Sequence, residues 1–275
     1  MMLQNKNAVI YGAGGSLGGA IAKAFADAGA KVFLTGRNLD SVQKIADEIV
    51  AAGGKAEAAV VDAMDEKAIQ QHLDKMVSTA GTIDISFNLI DLQVVQNAPL
   101  TAMTMEDFTR PVNIAMQSHF LTDIAAARIM MKQRSGVILS LTATPGGVAY
   151  PGVAGFGPAC SAMETLSKNL ASEIGVYGVR VVNIRSGGSP DSGVFKKAIA
   201  NMPEEMKIVL RGMEADTMLK TMPLMADIAN TAVFLASDMA GKITGVTIDV
   251  TCGTTAGLNY RTPGKEPASI ALNGQ

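Results

Sequence analysis

Residues 12–19 read Gly12-Ala13-Gly14-Gly15-Ser16-Leu17-Gly18-Gly19 and stand between a short apolar run, residues 8–11, and a helical pattern. That pattern places Leu17, Ile21, Ala24, Phe25 and Ala28 on one face. Strand, glycine turn and amphipathic helix form the first half of a βαβ unit that can hold a diphosphate. Glycines bring backbone N–H groups close to the anion, and the start of the helix adds partial positive charge. Gly12, Ser16, Leu17 and Gly18 are the residues expected to line it. A glycine-rich turn alone is equally an ordinary strand-to-helix connection. The flanking strand and helix are what favour a dinucleotide.

The residue after the second strand discriminates between nucleotides in this architecture: a carboxylate binds the ribose hydroxyls of NAD, whereas an arginine accommodates the extra phosphate of NADP. Here the chain runs Thr35-Gly36-Arg37-Asn38, with no carboxylate before Asp40. Arg37 offers a planar, permanently charged fork for a phosphate; its plainer role is a surface arginine at a helix start. NADP is therefore expected over NAD. Asp62 and Ala63, closing the third strand, are candidates to meet the adenine, and Asp62 could equally cap a turn. Asn88, ending the fourth strand, is expected near the adenosine ribose.

The elements that position these residues alternate along the chain. Strands are expected at 8–11, 31–35, 56–61, 83–88, 136–142, 179–185 and 247–250. Helices are expected at 39–52, 65–80, 105–133 and 153–174. The fold class that follows is α/β: a doubly wound, mostly parallel seven-stranded sheet with helices on both faces. Residues 1–260 read as one Rossmann-type domain and 261–275 as a tail. Residues 191–225 break the rhythm as a helical insertion carrying Met202, Met206, Met213, Met218, Met222 and Met225. Methionine is flexible and polarizable, so this segment suits a lid over an apolar substrate, or simply gap-filling on a mobile helical pair.

Composition narrows the classes. A formal charge of −2 and 4 % aromatic residues speak against a nucleic-acid surface. Two cysteines, Cys160 and Cys252, are too few for a disulfide framework and fit a reducing, cytoplasmic setting. His72 and His119 show no metal-ligand spacing with each other or with the cysteines, so no metal is expected. The opening residues, MMLQNKNAVIYG, lack the apolar core of a secretory signal, and no apolar run approaches the roughly 20 residues that span a bilayer.

These pieces, in this order, resemble the short-chain dehydrogenase/reductase family over nearly the whole chain. The matching segments are the 12–18 turn, Asp62, Asn88, Asn113, Glu164-Thr165-Leu166-Ser167-Lys168, Gly178-Val179-Arg180-Val181, Phe234-Leu235-Ala236-Ser237-Asp238, Ile243-Thr244-Gly245 and Gly253. The turn itself departs from the family: its middle glycine is Ser16 and the residue before it is Tyr11 instead of threonine. The fourth strand ends Asn88-Leu89-Ile90-Asp91 instead of Asn-Asn-Ala-Gly.

The resemblance implies a tyrosine acting as general acid/base, a lysine one helical turn later, a serine that orients the substrate carbonyl and an asparagine that holds a relay water. Aligned through Glu164-Thr165-Leu166, these positions hold Phe156, Cys160 and Ala143, and of the four only Asn113 is expected to remain. No shift restores the pair. Tyr11, Tyr150, Tyr177 and Tyr260 are followed four residues on by Gly15, Ala154, Val181 and Gly264. Thr142, Thr144 and Tyr150 are the hydroxyls nearest in sequence to stand in. Cys160 is a reactive thiol near a helix start or a small buried side chain. His119, six residues after Asn113, is expected at the surface or an interface.

The resemblance further implies a homodimer or homotetramer built on the two long helices, where the run Ala125-Ala126-Ala127 would allow close approach. The expected activity is oxidoreduction of a carbonyl/alcohol or enoyl group on an unknown, apolar small molecule. The alternative is a catalytically silent nucleotide binder serving as sensor or partner subunit.

Overall fold

Strands buried on both faces read as unbroken apolar runs, because successive side chains must each satisfy a different helical layer. In the computed structural model, which describes residues 1–96 and 98–256, β1 (Asn7–Tyr11) is buried along its whole length. Ala8 and Ile10 pack into one layer, and Val9 and Tyr11 into the other. The remaining strands are β2 (Lys31–Gly36), β3 (Lys55–Val60), β4 (Ile85–Asn88), β5 (Gly136–Ala143), β6 (Val179–Ser186) and β7 (Val246–Val250). All pair in parallel, in the order β3-β2-β1-β4-β5-β6-β7. This is the doubly wound sheet expected from the alternation.

The helices are α1 (Ser16–Asp27), α2 (Leu39–Ala51), α3 (Glu66–Ala80), α4 (Met105–Gln133), α5 (Phe156–Ile174), α6 (Gly193–Asn201), α7 (Pro203–Asp216) and α8 (Met225–Ala236). Ile21 and Phe25 of α1, Val42 and Ile49 of α2 and Ile228 of α8 share one core with Ile10, Leu34, Phe87 and Leu139. On the opposite face Ile69, Leu73 and Met76 of α3, Ala126 and Met130 of α4 and Leu170 of α5 pack against Val9, Phe33 and Ile138. Side-chain caps fix three starts. Asn38 accepts the Asp40 N–H at 2.9 Å, Asp65 the Ala68 N–H at 3.1 Å and Thr104 the Asp107 N–H at 3.1 Å.

Residues 191–225 contain α6 and α7, and the two ends of the segment are held together where the Asp191 carboxylate accepts the Met225 N–H at 3.0 Å. The 261–275 tail lies outside the described residues. Two expectations are corrected. Ala125, Ala126 and Ala127 are buried within this chain against the sheet, leaving no small-residue stripe for a second copy. His119 is only 4 % exposed, because α4 turns it inward beside Asp123. Among the described residues no helix is long and apolar enough to cross a membrane.

Candidate functional site

Strand order reverses between β1 and β4, and the crevice at such a switch point is where an open parallel sheet receives a ligand. The glycine turn lies at its rim. Gly12 sits at φ +75°, and a Cβ there would lie 2.5 Å from the Leu89 carbonyl oxygen; a Cβ at Gly18 would lie 2.5 Å from the Gly12 oxygen. Both positions are closed to any side chain, so turn, β4 end and helix start pack backbone to backbone. The Gly12 and Ala13 N–H groups donate to the Thr35 carbonyl at 3.0 and 3.1 Å, tying the turn to the end of β2. Gly14, Gly15 and Ser16 are exposed, and α1, unlike α2, α3 and α4, starts with no side-chain cap. Its first N–H groups therefore face outward with the positive end of the helix dipole, a fit for a diphosphate.

Leu17 is half-buried behind that turn. Arg37 follows β2, exposed and without an ion pair among the described residues. Asp62 caps its own turn, its Oδ1 accepting the Met64 N–H at 3.0 Å, and Ala63 is buried next to it. Asn88 does not reach outward. Its Nδ2 donates to Thr122 Oγ1 at 3.0 Å and its Oδ1 accepts the Ile90 N–H at 3.0 Å, so the side chain locks β4 to α4. Asn88 thus ends β4 beside the β1/β4 switch point, with its side chain turned to holding the strand.

Phe156 opens α5 and Cys160 follows one turn later, fully buried. Burial pushes the Cys160 thiol up to about 11, against a weaker pull down from a hydrogen bond with the Ala143 backbone. With no exposed surface and its thiol pushed up by that burial, Cys160 fits the small buried side chain over the reactive one. In the folded protein at pH 7.5, iodoacetamide should leave Cys160 unmodified, with labelling following denaturant-induced unfolding in peptide mass maps. Rapid labelling without denaturant would contradict the burial.

The expected relay asparagine is not in the site. Asn113 lies on the outward stripe of α4 with Gln117, Phe120 and Arg128, all exposed. An α4 residue that does pack toward α5 is Ala115, fully buried in a small apolar cluster with Leu92, Ala159, Met163 and the ring of Phe156. Helical phase explains the difference: 115, 118, 119, 122 and 126 share the inner face, and 113 stands opposite. Thr142 is likewise corrected as a substrate contact. It is 2 % exposed, its hydroxyl donating to Glu164 Oε1 at 2.9 Å while accepting from Asn183 Nδ2 at 2.7 Å. Thr144 is nearly buried at the following turn. Tyr150 is half-buried in the loop before α5, and its hydroxyl has no hydrogen-bond partner among the described residues.

Thr142 belongs to a charged network that sequence reading missed. Arg185 on β6 grips Glu164 of α5 in a fork, Nε to Oε1 at 3.0 Å and Nη2 to Oε2 at 2.6 Å, and reaches Asp249 of β7 through Nη1 at 2.8 Å. The side chains of Arg185 and Glu164 are 14 % and 7 % exposed. Burial alone would lower the arginine's pKa, but Glu164 first and Asp249 second hold it above its ordinary value. Ser140 extends the network, donating to Asn183 Oδ1 at 2.9 Å beside Ser167 at 3.0 Å. A second polar cluster lies under the turn. His119 Nδ1 is 3.3 Å from Asp123 Oδ2, and the fully buried hydroxyl of Tyr11 lacks a partner among the described residues. Burial, and then the Asp123 charge, push that phenol far above its usual value. Tyr11 is no acid/base for neutral pH.

Comparisons with known proteins agree with this geometry. A family model described as enoyl-(acyl carrier protein) reductase matches residues 12–255. The chain is 30% identical over 265 residues to a 7alpha-hydroxysteroid dehydrogenase of Escherichia coli, covering 94% of this chain and 98% of that one. It is 29% identical over 253 residues to a 3-oxoacyl-(acyl-carrier-protein) reductase of Chlamydia trachomatis, covering 92% and 98%. The solved structure of a short-chain type dehydrogenase/reductase from Mycobacterium marinum superposes with a TM-score of 0.80 at 28% identity, over 93% of this chain and 97% of that one.

Proposed function

Because the chain belongs to the short-chain dehydrogenase/reductase family, we propose that it is an NADP(H)-dependent oxidoreductase with a non-standard active site, acting on a carbonyl/alcohol or enoyl group of an apolar substrate. The observation that carries the nucleotide choice is Arg37, exposed and unpaired among the described residues, directly after the strand whose Thr35 carbonyl holds the glycine turn. The uncapped start of α1 takes the diphosphate and the Arg37 fork takes the extra phosphate. Asp62 and Ala63 border the adenine side of the crevice. The nicotinamide, when bound, supplies the hydride chemistry.

This chain's own residues bind, orient and exclude water. Ala115, Ala143, Phe156 and Cys160 carry no group that exchanges a proton readily at neutral pH, so the reading is catalysis by positioning, with Tyr150 the nearest candidate to donate a proton. An apolar substrate is supported by the insertion. Phe195 and Met213 close on Gly188, Met218 closes on Gly253, and Met206 and Met222 are buried. The insertion is read as the substrate lid. The outward face of α4, where Phe120 is 56 % exposed, is the side assigned to contact with a second copy in a homo-oligomer.

Fluorescence titration with NADPH and NADH tests the nucleotide. Arg37→Ala should weaken NADPH binding roughly 10- to 100-fold, the worth of a charge-assisted hydrogen bond, and leave NADH within about twofold. A preference for NADH in the unmodified protein would remove the role given to Arg37.

A further inference from the structure

Ser16 stands where the family's turn carries a glycine, and its hydroxyl is already engaged by a distant part of the chain. The backbone N–H of Gly193 donates to Ser16 Oγ at 2.9 Å, across 177 positions of sequence. Gly193 is the first residue of α6, so this N–H is one of the donors a helix start leaves without an internal partner. Ser192 at the N-cap makes no side-chain cap, and Ser16 fills that role from the cofactor side of the crevice. Two helix starts, α1 and α6, thus converge on one oxygen. Four residues before α6 begins, at Ser189, the connecting loop holds a second hydroxyl, 5 % exposed and without a partner among the described residues. The far end of the insertion is anchored separately, where the Met218 and Leu219 N–H groups donate to the Cys252 carbonyl at 2.9 and 3.2 Å.

A serine hydroxyl has one proton to donate and two lone pairs to accept with. The Gly193 N–H uses a lone pair and leaves the proton free. We propose that Ser16 couples nucleotide binding to closure of the insertion: its oxygen holds the start of α6 while its proton is donated to a cofactor phosphate. A phosphate accepting that proton polarises the hydroxyl and makes its oxygen a better acceptor, so each contact strengthens the other. Linkage then requires reciprocity: whatever factor the latch adds to nucleotide affinity, the nucleotide adds to lid closure. With glycine in place of Ser16 there is no shared atom and no such coupling. The proposal rests on the nucleotide-binding reading above.

Two variants separate the halves of the device. Gly193→Pro removes the lid's donor at a first-turn position where a helix accepts proline, and its ring, standing where the N–H pointed, also pushes the start of α6 off Ser16 Oγ, so the latch opens while the Ser16 hydroxyl is kept for phosphate. Ser16→Ala removes both. The readouts are the NADPH dissociation constant and the rate of tryptic cleavage at the exposed Lys196, Lys197, Lys207 and Arg211 of the insertion, with and without NADPH. In the unmodified protein NADPH should slow cleavage. In Gly193→Pro cleavage should be faster without nucleotide, NADPH should no longer slow it, and affinity should fall roughly 3- to 10-fold, the worth of one neutral hydrogen bond. Ser16→Ala should match it in cleavage, bind NADPH more weakly still, and gain nothing in cleavage when combined with Gly193→Pro. Ser16→Thr, which keeps the hydroxyl, should restore protection. Unchanged cleavage and affinity in Gly193→Pro would overturn the coupling while nucleotide binding stands. Failure of the unmodified protein to bind either nucleotide would overturn the cofactor reading, and the cleavage rates without nucleotide would still report on the latch.

Discussion

Replacing Arg185 by alanine should lower the melting temperature by roughly 10 °C, because breaking a buried ion pair costs about 3–5 kcal/mol and each kcal/mol shifts a domain of this size by about 2–4 °C. The magnitude comes from what is left behind. Glu164 sits on the inner face of α5 with its side chain 7 % exposed, and losing Arg185 removes two hydrogen bonds to it, at 3.0 and 2.6 Å. Among the described residues only the Thr142 hydroxyl would remain on that carboxylate. Asp249, whose side chain is 32 % exposed, can turn to water, so the penalty falls on Glu164.

Two companion measurements distinguish an orphaned charge from a simple loss of packing. The double variant Glu164→Met/Arg185→Leu should recover most of the loss, since apolar side chains of similar volume need no partner. The deficit of Arg185→Ala should also shrink with acid. The orphaned carboxyl has a folded pKa raised above the unfolded value of about 4.3, so its penalty is full at neutral pH and fades as pH falls through the raised value. A double variant less stable than Arg185→Ala, or a deficit that grows in acid, would show that the network stabilises by some other means.

That network also marks the limit of what the amino-acid order discloses. The sheet was legible because each strand is a short apolar run between helical periods, and the glycines after Tyr11 mark a tight turn into α1. Boundaries slipped where a residue suits either state: Ile83 packs into the core just before β4 begins at Ile85. The charged triad was not legible, since Glu164, Arg185 and Asp249 lie 21 and 64 positions apart and meet only when α5, β6 and β7 are assembled. Asn113 was misjudged for a different reason. Its type matched the role, but the inner stripe of α4, Ala115, Ser118, His119, Thr122 and Ala126, is small or polar, so hydrophobic periodicity does not mark it and only the assembled fold shows that it excludes 113. His119 was missed for the same reason: a polar residue on a polar inner stripe carries no apolar signal of burial.

The largest kinetic effect should come from rebuilding the proton-handling set. Phe156→Tyr alone should raise NADPH oxidation against a carbonyl panel by less than about tenfold, because a phenol with a pKa near 10 needs a nearby cation to work at neutral pH. Adding Cys160→Lys puts an ammonium one helical turn away, on the same face, and Ala143→Ser supplies a hydroxyl at the end of β5. The triple variant should gain roughly 10²- to 10⁴-fold, the usual reach of general acid–base catalysis. Accommodating the lysine is the demanding part: Cys160 is fully buried, its Cβ 3.0 Å from where a Cβ on Gly146 would stand, with Glu164 one turn further on. Glu164 gives the ammonium a counter-charge and competes with Arg185 for it, so the triple variant should lose some stability as it gains rate. Equal NADPH affinity with no gain in rate would mean that the reacting atoms do not meet at Phe156. Turnover confined to the triple variant would identify the unmodified chain as a nucleotide binder without chemistry. Turnover already present in the unmodified chain, and lost in Tyr150→Phe, would instead place the working acid in the loop before α5.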